Sequence, residues 1–337
     1  MKKGKVLFAL SLLLSAFLPI VSVLSPVSAR AQQFSAAECV MEVDSRRILY
    51  QERGDVRLPM ASTTKIATAI SVIDSGIDVE KSVQIPHNAV GVEGSSVYLK
   101  EGDEYSIKDL LYGLMLRSGN DCAVALAEAV DGSVEAFATR MNETAQRAGA
   151  LNTHFVNPHG LPAKLHYTTS VDLSLITAHA MQNPLFCSIV STKYYQPRSW
   201  QNKNKMLTQY EGAIGVKTGY TKEAGKCLVS AAEREGMRLI VTVLNCPTAY
   251  ERTKALFDDA FKKYTKKRLL GATDVVRFEG GEGVAGKDYY FPLMEGEEQH
   301  IEIVARSFVS EENKKIVGQF EIYLLKRLLF CGNLYKL

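Results

Sequence analysis

Ser62-Thr63-Thr64-Lys65-Ile66-Ala67-Thr68-Ala69-Ile70-Ser71-Val72-Ile73 is the stretch on which the fold turns. Its apolar positions are too dense for a one-sided surface helix. It reads as a buried helix that starts near Ser62 and ends at Gly76. Such a helix needs other elements around it. Upstream, Glu38–Val43 and Ile48–Gln51 flank Asp44-Ser45-Arg46-Arg47, the pattern of strand, turn, strand. Downstream, helical spacing recurs in Ile107, Leu110, Leu111 and Leu114 after Ser106, in Asp121–Val130 after Gly119, from about Val134 to Gly149, and in Tyr167–Met181 behind Thr and Ser caps. The period then changes. Cys227–Ala232 and Met237–Asn245 form β-rich runs around Glu233-Arg234-Glu235-Gly236, and Tyr250–Tyr264 returns to helix with Leu256, Phe257, Ala260, Phe261 and Tyr264 on one face. Strands at both ends with helices between predict an α+β domain, one antiparallel sheet gathering the two hairpins under a cover of helices.

The run Lys262-Lys263, Lys266-Lys267-Arg268 closes that domain and is expected to be a solvated helix end rather than a patch for anionic polymer or lipid. From residue 269 onward short alternating segments, Ile301–Val304 and Gln319–Leu324, lie between glycine-rich or charged turns. They predict a small all-β C-terminal domain over 269–337. Its last run, Leu328–Leu334, is read as a closing hairpin strand and not as an amphipathic membrane anchor.

The first 31 residues differ from the rest. Lys2, Lys3 and Lys5 precede an apolar stretch from Val6 to Val27, and Ala29-Arg30-Ala31 supplies a small-residue cleavage pattern, with Val27-Ser28-Ala29 as an earlier one. A secretory signal over 1–31 follows, which places residues 32–268 and 269–337 outside the cytoplasm. The 337-residue chain is 46% hydrophobic and 23% charged, a globular composition, and its net charge is +3. Removing residues 1–31, which carry four cations and no acid, leaves −1. No cationic surplus remains for nucleic acid. Six cysteines, Cys39, Cys122, Cys187, Cys227, Cys246 and Cys331, show no clustered spacing and read as buried free thiols.

Chemistry concentrates in three short motifs. Ser62-x-x-Lys65 opens the buried helix, and a single Ser118-Gly119-Asn120 and a single Lys217-Thr218-Gly219 follow it. A serine hydroxyl is a poor nucleophile until a base takes its proton, and a lysine three residues on in a helix brings its amine alongside. Burial and a second cation such as Lys217 would keep that amine partly neutral. The helix start after Ser62 leaves a backbone N–H for a developing oxyanion, and the Tyr220 N–H beside Gly219 could supply another.

With Leu58-Pro59-Met60-Ala61 ahead of the first motif, and with Gly94-Ser95-Ser96-Val97-Tyr98-Leu99, Leu114-Met115-Leu116-Arg117-Ser118-Gly119-Asn120-Asp121, Asn157-Pro158-His159-Gly160-Leu161 and Gly215-Val216-Lys217-Thr218-Gly219-Tyr220-Thr221, the chain resembles the low-molecular-mass penicillin-binding proteins, the serine D-alanyl-D-alanine carboxypeptidases. The resemblance implies a β-lactamase/transpeptidase-like fold with an inserted helical region, peptidoglycan stem peptides as substrate and β-lactams as covalent inhibitors. It implies Ser62 as the acylated nucleophile, Lys65 as its base and Ser118 as the relay of a proton to departing D-alanine. Asn120 would hold the substrate amide, and Lys217 and Thr218, on the strand with Gly219 and Tyr220, would bind the terminal carboxylate. Gly119 in the second motif, and the lack of a following Glu-x-x-Leu-Asn, argue against a β-lactamase. A DD-endopeptidase, a β-lactamase or a catalytically silent wall-binding protein stand as alternatives. The family usually ends in a membrane-attaching tail, and no obvious one follows the β domain here, so peripheral attachment stays open.

Two weaker patterns are read as structural. Gly281-x-Gly283-x-x-Gly286 is followed by Lys287–Pro292 where dinucleotide binding requires a helix, so a loop and no cofactor are expected. His154, His159 and His166 fit no standard zinc spacing and are expected to bond backbone, with no metal.

Overall fold

Two hairpins far apart in sequence make the main sheet. In the computed structural model, which describes residues 35–308, 313 and 315–337, β1 (Ala37–Glu42) pairs antiparallel with β2 (Ile48–Glu52) on one side. The signal expected over 1–31 lies outside the described residues. On its other side β1 pairs with the last strand of a meander, β3 (Ala213–Thr221), β4 (Gly225–Arg234) and β5 (Met237–Leu244), giving the antiparallel order β2-β1-β5-β4-β3. β3 is therefore an edge strand, with one row of backbone groups unpaired within the sheet.

Helices cover both faces. α1 (Lys65–Asp74) is buried from Lys65 through Val72, and α2 (Ile107–Tyr112), α3 (Asn120–Asp131), α4 (Val134–Ala148), α5 (Ser170–Ala180) and α6 (Pro184–Ser191) follow it. The caps are those the sequence offers: the side chains of Ser106, Ser133, Thr169 and Asn183 accept N–H groups from the first turns of α2, α4, α5 and α6. α5 packs on β1 and β5, while α7 (Ala249–Lys263) covers β4 and β5 from the opposite side through Leu256, Phe257 and Ala260.

Several expected boundaries move. The helix expected from Tyr167 starts at Ser170, because Tyr167 and Thr168 form bridges to His154 and Leu58. The run after Ser106 stays α-helical only to Tyr112; Gly113–Arg117 widens into a π turn, and Ser118 then takes a left-handed conformation with φ 65°. Tyr264 leaves the helix to begin β6 (Tyr264–Leu270), so the boundary expected after Arg268 falls inside a strand.

That strand also changes the reading of the basic run. Only Lys262 and Lys263 end the helix. Lys263 pairs with Asp259 at 2.7 Å, Lys266 with Asp44 at 2.9 Å and Lys267 with Glu298 at 2.7 Å, and Arg268 lies near Asp274 and Asp288, which leaves little free positive charge.

Beyond β6 come β7 (Val275–Phe278), β8 (Gly281–Val284), β9 (Tyr289–Met294), β10 (Ile301–Ser307), β11 (Ile316–Leu324) and β12 (Arg327–Tyr335). β6 pairs with β9, and the others form an antiparallel sheet in the order β7-β8-β12-β11-β10 around Phe320, Ile322 and Leu334. The loop expected at Gly281–Gly286 is in part β8. The sheet uses its glycine there, since a Cβ on Gly283 would stand 2.8 Å from the Tyr335 carbonyl oxygen. Leu328–Leu334 does close a hairpin, pairing with β11. Arg47 fastens this region to the first hairpin: its guanidinium donates to Pro292 O at 2.6 Å and to both carboxylate oxygens of Glu297, and lies over the Tyr264 and Phe291 rings. The thiols are free, but only Cys39, Cys122, Cys227 and Cys246 are buried. Cys187 is half-buried and Cys331 is exposed. Among the described residues no helix is long and apolar enough to cross a membrane.

Candidate active site

The three motifs arrive from three directions. A short 3₁₀ turn, Ala61–Thr64, leads into α1, so Ser62 and Lys65 lie one turn apart and the Lys65 Nζ donates to Ser62 Oγ at 3.1 Å. Lys65 is fully buried. Its amine also donates to Asn120 Oδ1 at 2.6 Å and to the His159 carbonyl at 2.7 Å. Both acceptors are neutral, and the nearby Asp121 only partly offsets the cost of a buried ammonium. Burial first, and Lys217 second, hold the Lys65 amine well below the usual lysine range.

Ser118 comes from the other side. The wide turn at Gly113–Arg117 and the left-handed Ser118 point its hydroxyl inward, where it accepts from Lys217 Nζ at 3.0 Å. Lys217 rises from the middle of β3, 2% exposed, and donates as well to the Thr218 carbonyl at 2.9 Å. Burial, then the charge on Lys203, bring its pKa down to about 7.

Gly219 sets how closely β3 approaches the nucleophile. A Cβ there would stand 3.1 Å from the backbone nitrogens of Ser62 and Thr63, so glycine lets the strand edge and the turn meet. Thr218 is half-buried and its hydroxyl has no partner among the described residues; Tyr220 is 65% exposed beyond it. Seven of the eight expected residues thus form one cluster, and Tyr220 brings its backbone to it while its ring faces solvent.

Sequence reasoning missed the supports. Asn120 is held from its amide nitrogen by the Glu93 carbonyl and from its backbone N–H by Ser95 O at 2.7 Å. Asp121 ties the same loop, accepting from Ser96 Oγ at 2.5 Å, Val97 N at 2.9 Å and Leu99 N at 3.2 Å. Lys203 adds a third ammonium, donating to Ser95 Oγ at 3.3 Å. The signal for the first two was in plain view, because Gly94–Leu99 and Asp121 belong to the segments that carried the resemblance. For Lys203 no local signal existed. Replacing Asp121 with alanine is expected to free those three loop donors and the Cys122 N–H, which also donates to Asp121, and to lower stability by about 2–3 kcal/mol, read as a lower urea midpoint, with weaker substrate binding from the loosened loop.

The three histidines bond as expected of a loop. His154 Nδ1 lies 2.8 Å from Leu165 O, His159 Nδ1 accepts from Leu161 N at 3.2 Å, and His166 Nδ1 accepts from Val156 N at 3.1 Å. Burial and the neighbouring Lys65 push the His159 imidazole down to about 4.

As a unit the site holds a serine beside an amine that burial makes easier to deprotonate, a second hydroxyl on a second amine, unpaired backbone along β3 and a third lysine, Lys203, nearby. This arrangement suits acyl transfer from a substrate that ends in a carboxylate. Comparison with known proteins agrees. The family described as D-alanyl-D-alanine carboxypeptidase matches residues 25–248. The D-alanyl-D-alanine carboxypeptidase DacF of Bacillus subtilis is 35% identical over 252 residues, which cover 70% of this chain and 64% of that protein. DacB2 of Mycobacterium tuberculosis is 35% identical over 236 residues, covering 66% of this chain and 80% of the relative. Among solved structures, penicillin binding protein 5 of Haemophilus influenzae superposes with a TM-score of 0.74 at 27% identity, over 90% of this chain and 96% of that one. A variant of the Streptomyces K15 DD-transpeptidase gives 0.62 at 35% identity, over 66% and 95%.

Proposed function

The chain belongs to the D-alanyl-D-alanine carboxypeptidase family of serine peptidases, and from that premise we propose that it removes the terminal D-alanine from peptidoglycan pentapeptide stems through an acyl-enzyme on Ser62. The observation that carries this reading is the pair of serine–amine contacts, Ser62 with Lys65 and Ser118 with Lys217, brought together at the edge strand β3 and linked by the Lys65 bond to Asn120.

The substrate would lie along β3, its terminal carboxylate toward Lys217, Thr218 and Lys203, and its amide near Asn120. Lys65 takes the Ser62 proton as Oγ attacks the carbonyl carbon of the penultimate residue. The oxyanion forms against the N–H groups of Ser62 and Tyr220. As the C–N bond breaks, the proton reaches the departing amine by way of Ser118, whose hydroxyl lies on the Lys217 ammonium. Water then cleaves the ester and releases the shortened stem. β-Lactams would enter by the same first step and stay as slowly hydrolysed esters.

Such a substrate lies outside the cytoplasmic membrane, which fits a leader over residues 1–31 that delivers a catalytic domain and, from β6 onward, a β domain. The test is a stem pentapeptide ending in D-Ala-D-Ala, followed by released D-alanine and by the intact mass of the protein with benzylpenicillin. D-alanine release together with a persistent one-drug adduct is the expected result. Cleavage of cross-linked dimers instead would make it an endopeptidase, fast drug hydrolysis without adduct a β-lactamase, and no reaction a binding protein.

A further inference from the structure

The peptide unit between Ala61 and Ser62 is held unusually firmly. Ala61 has φ 49°, a left-handed conformation that an alanine adopts only when its surroundings impose it. Its carbonyl oxygen accepts the Thr64 hydroxyl at 2.8 Å, and Gly160 presses so close that a Cβ there would stand 2.0 Å from that oxygen. Thr64 is itself held. Its Oγ1 lies 2.9 Å from His166 Nε2, while His166 Nδ1 accepts from the Val156 N–H at 3.1 Å.

These contacts fix every proton. Nδ1 must be bare to accept from Val156, so Nε2 carries the hydrogen and donates it to Thr64. The Thr64 hydroxyl, having accepted there, donates its own proton to Ala61 O. Burial, with His159 and His154 adding to it, pushes the His166 imidazole down to about 3, so it stays neutral and keeps this tautomer. Thr64 is fully buried and His166 is 6% exposed.

A trans peptide is planar and its C=O and N–H point in opposite directions, so whatever aims the Ala61 carbonyl also aims the Ser62 N–H. No backbone carbonyl accepts from that N–H among the described residues, and it faces β3 at Gly219. We propose that His166 and Thr64 are positioning residues that, through the Ala61 carbonyl, hold the Ser62 N–H on the oxyanion of the reaction. The proposal rests on the reading of Ser62 as the acylated serine. The relay also polarises that peptide, strengthening its N–H as a donor. It further ties the loop that supplies Gly160 and the His159 carbonyl to the turn bearing the nucleophile, so Lys65 and the oxyanion donor are placed by one segment.

The test separates non-covalent binding of a fluorescent penicillin from the acylation step by stopped flow, in the wild type and in His166→Phe, His166→Gln, Thr64→Val and the Thr64→Val/His166→Phe double variant. His166→Phe and Thr64→Val are each expected to slow acylation about 10–100-fold, short of losing an oxyanion donor outright, with the binding constant unchanged. Glutamine can present a donor where Nε2 lies, so His166→Gln is expected to recover most of the rate. The double variant is expected to be no slower than Thr64→Val alone, because one relay is broken once. The ester carbonyl band of the acyl-enzyme should shift to higher frequency in the slow variants. If His166→Phe does not fold, Thr64→Val carries the test with the imidazole in place. Acylation in Thr64→Val within about twofold of the wild type, a His166→Gln as slow as His166→Phe, or multiplicative losses in the double variant would overturn the proposal. A wild type that is not acylated at all would remove the Ser62 reading, and the proposal with it.

Discussion

Ser62→Ala is expected to remove covalent reaction altogether: no mass adduct with benzylpenicillin and D-alanine release reduced by at least about a thousandfold. The expectation follows from the geometry around Oγ. Lys65, Ser118 and Lys217 can move protons, but none is positioned to replace a nucleophile, and the remaining donors can only bind substrate. The variant should fold normally, because Ser62 Oγ accepts one hydrogen bond from an amine that keeps two other acceptors. Retained binding with lost chemistry is therefore the signature. A Ser62→Ala protein that still acquires a drug adduct would move the nucleophile to Ser118 and undo the mechanism.

Lys65→Met is expected to lower kcat/KM for D-alanine release by about a thousandfold, the usual worth of a positioned base. The pH profile carries the sharper information. A base must be unprotonated, so the rate rises as pH increases through the Lys65 pKa, which burial and Lys217 hold below the ordinary lysine value. Removing the second cation with Lys217→Gln should let Lys65 hold its proton more tightly and move that rising limb to higher pH. The falling limb of the wild type should follow Lys217, brought to about 7 before substrate binds, since only its ammonium attracts a carboxylate. Stability follows from the same shift. Folding lowers the Lys217 pKa from the ordinary lysine value of 10.5, so between about 7 and 10.5 the unfolded chain binds a proton that the folded one does not. The stability at this position is fully present above 10.5 and is lost as pH falls through 7. A rising limb that stays in place in Lys217→Gln would show that the two amines do not communicate.

Much of this was legible beforehand because it is local. Hydroxyl caps, the dense apolar run after Lys65, the two hairpins and the order of the three motifs all depend on residues a few positions apart, and periodicity reports them well. The α1 helix, the two hairpins of the main sheet and the closing hairpin near the C-terminus appear where their patterns place them, whereas no periodicity marked the edge strand Ala213–Thr221. The misplaced boundaries share one cause: long-range pairing. Tyr167–Thr168 is extended because Leu58 and His154 pair with it, and Lys266–Arg268 forms a strand because β9 lies alongside.

The chemical inventory can be read from residue order: which serine has a lysine one turn away, which second hydroxyl and second amine accompany it, and that these sit in an α+β domain followed by β structure. Tertiary structure alone decided what those groups are. Lys65 and Lys217 are ordinary lysines in sequence and become weaker bases, more easily deprotonated, only where the fold buries both and brings Lys203 near. The holders of the site, the His159 carbonyl, Glu93 O, Asp121, Lys203 and the Thr64–His166 pair, act through backbone groups or across many residues. Desolvation and hydrogen-bond direction depend on what surrounds a group in space, and sequence spacing carries no record of that.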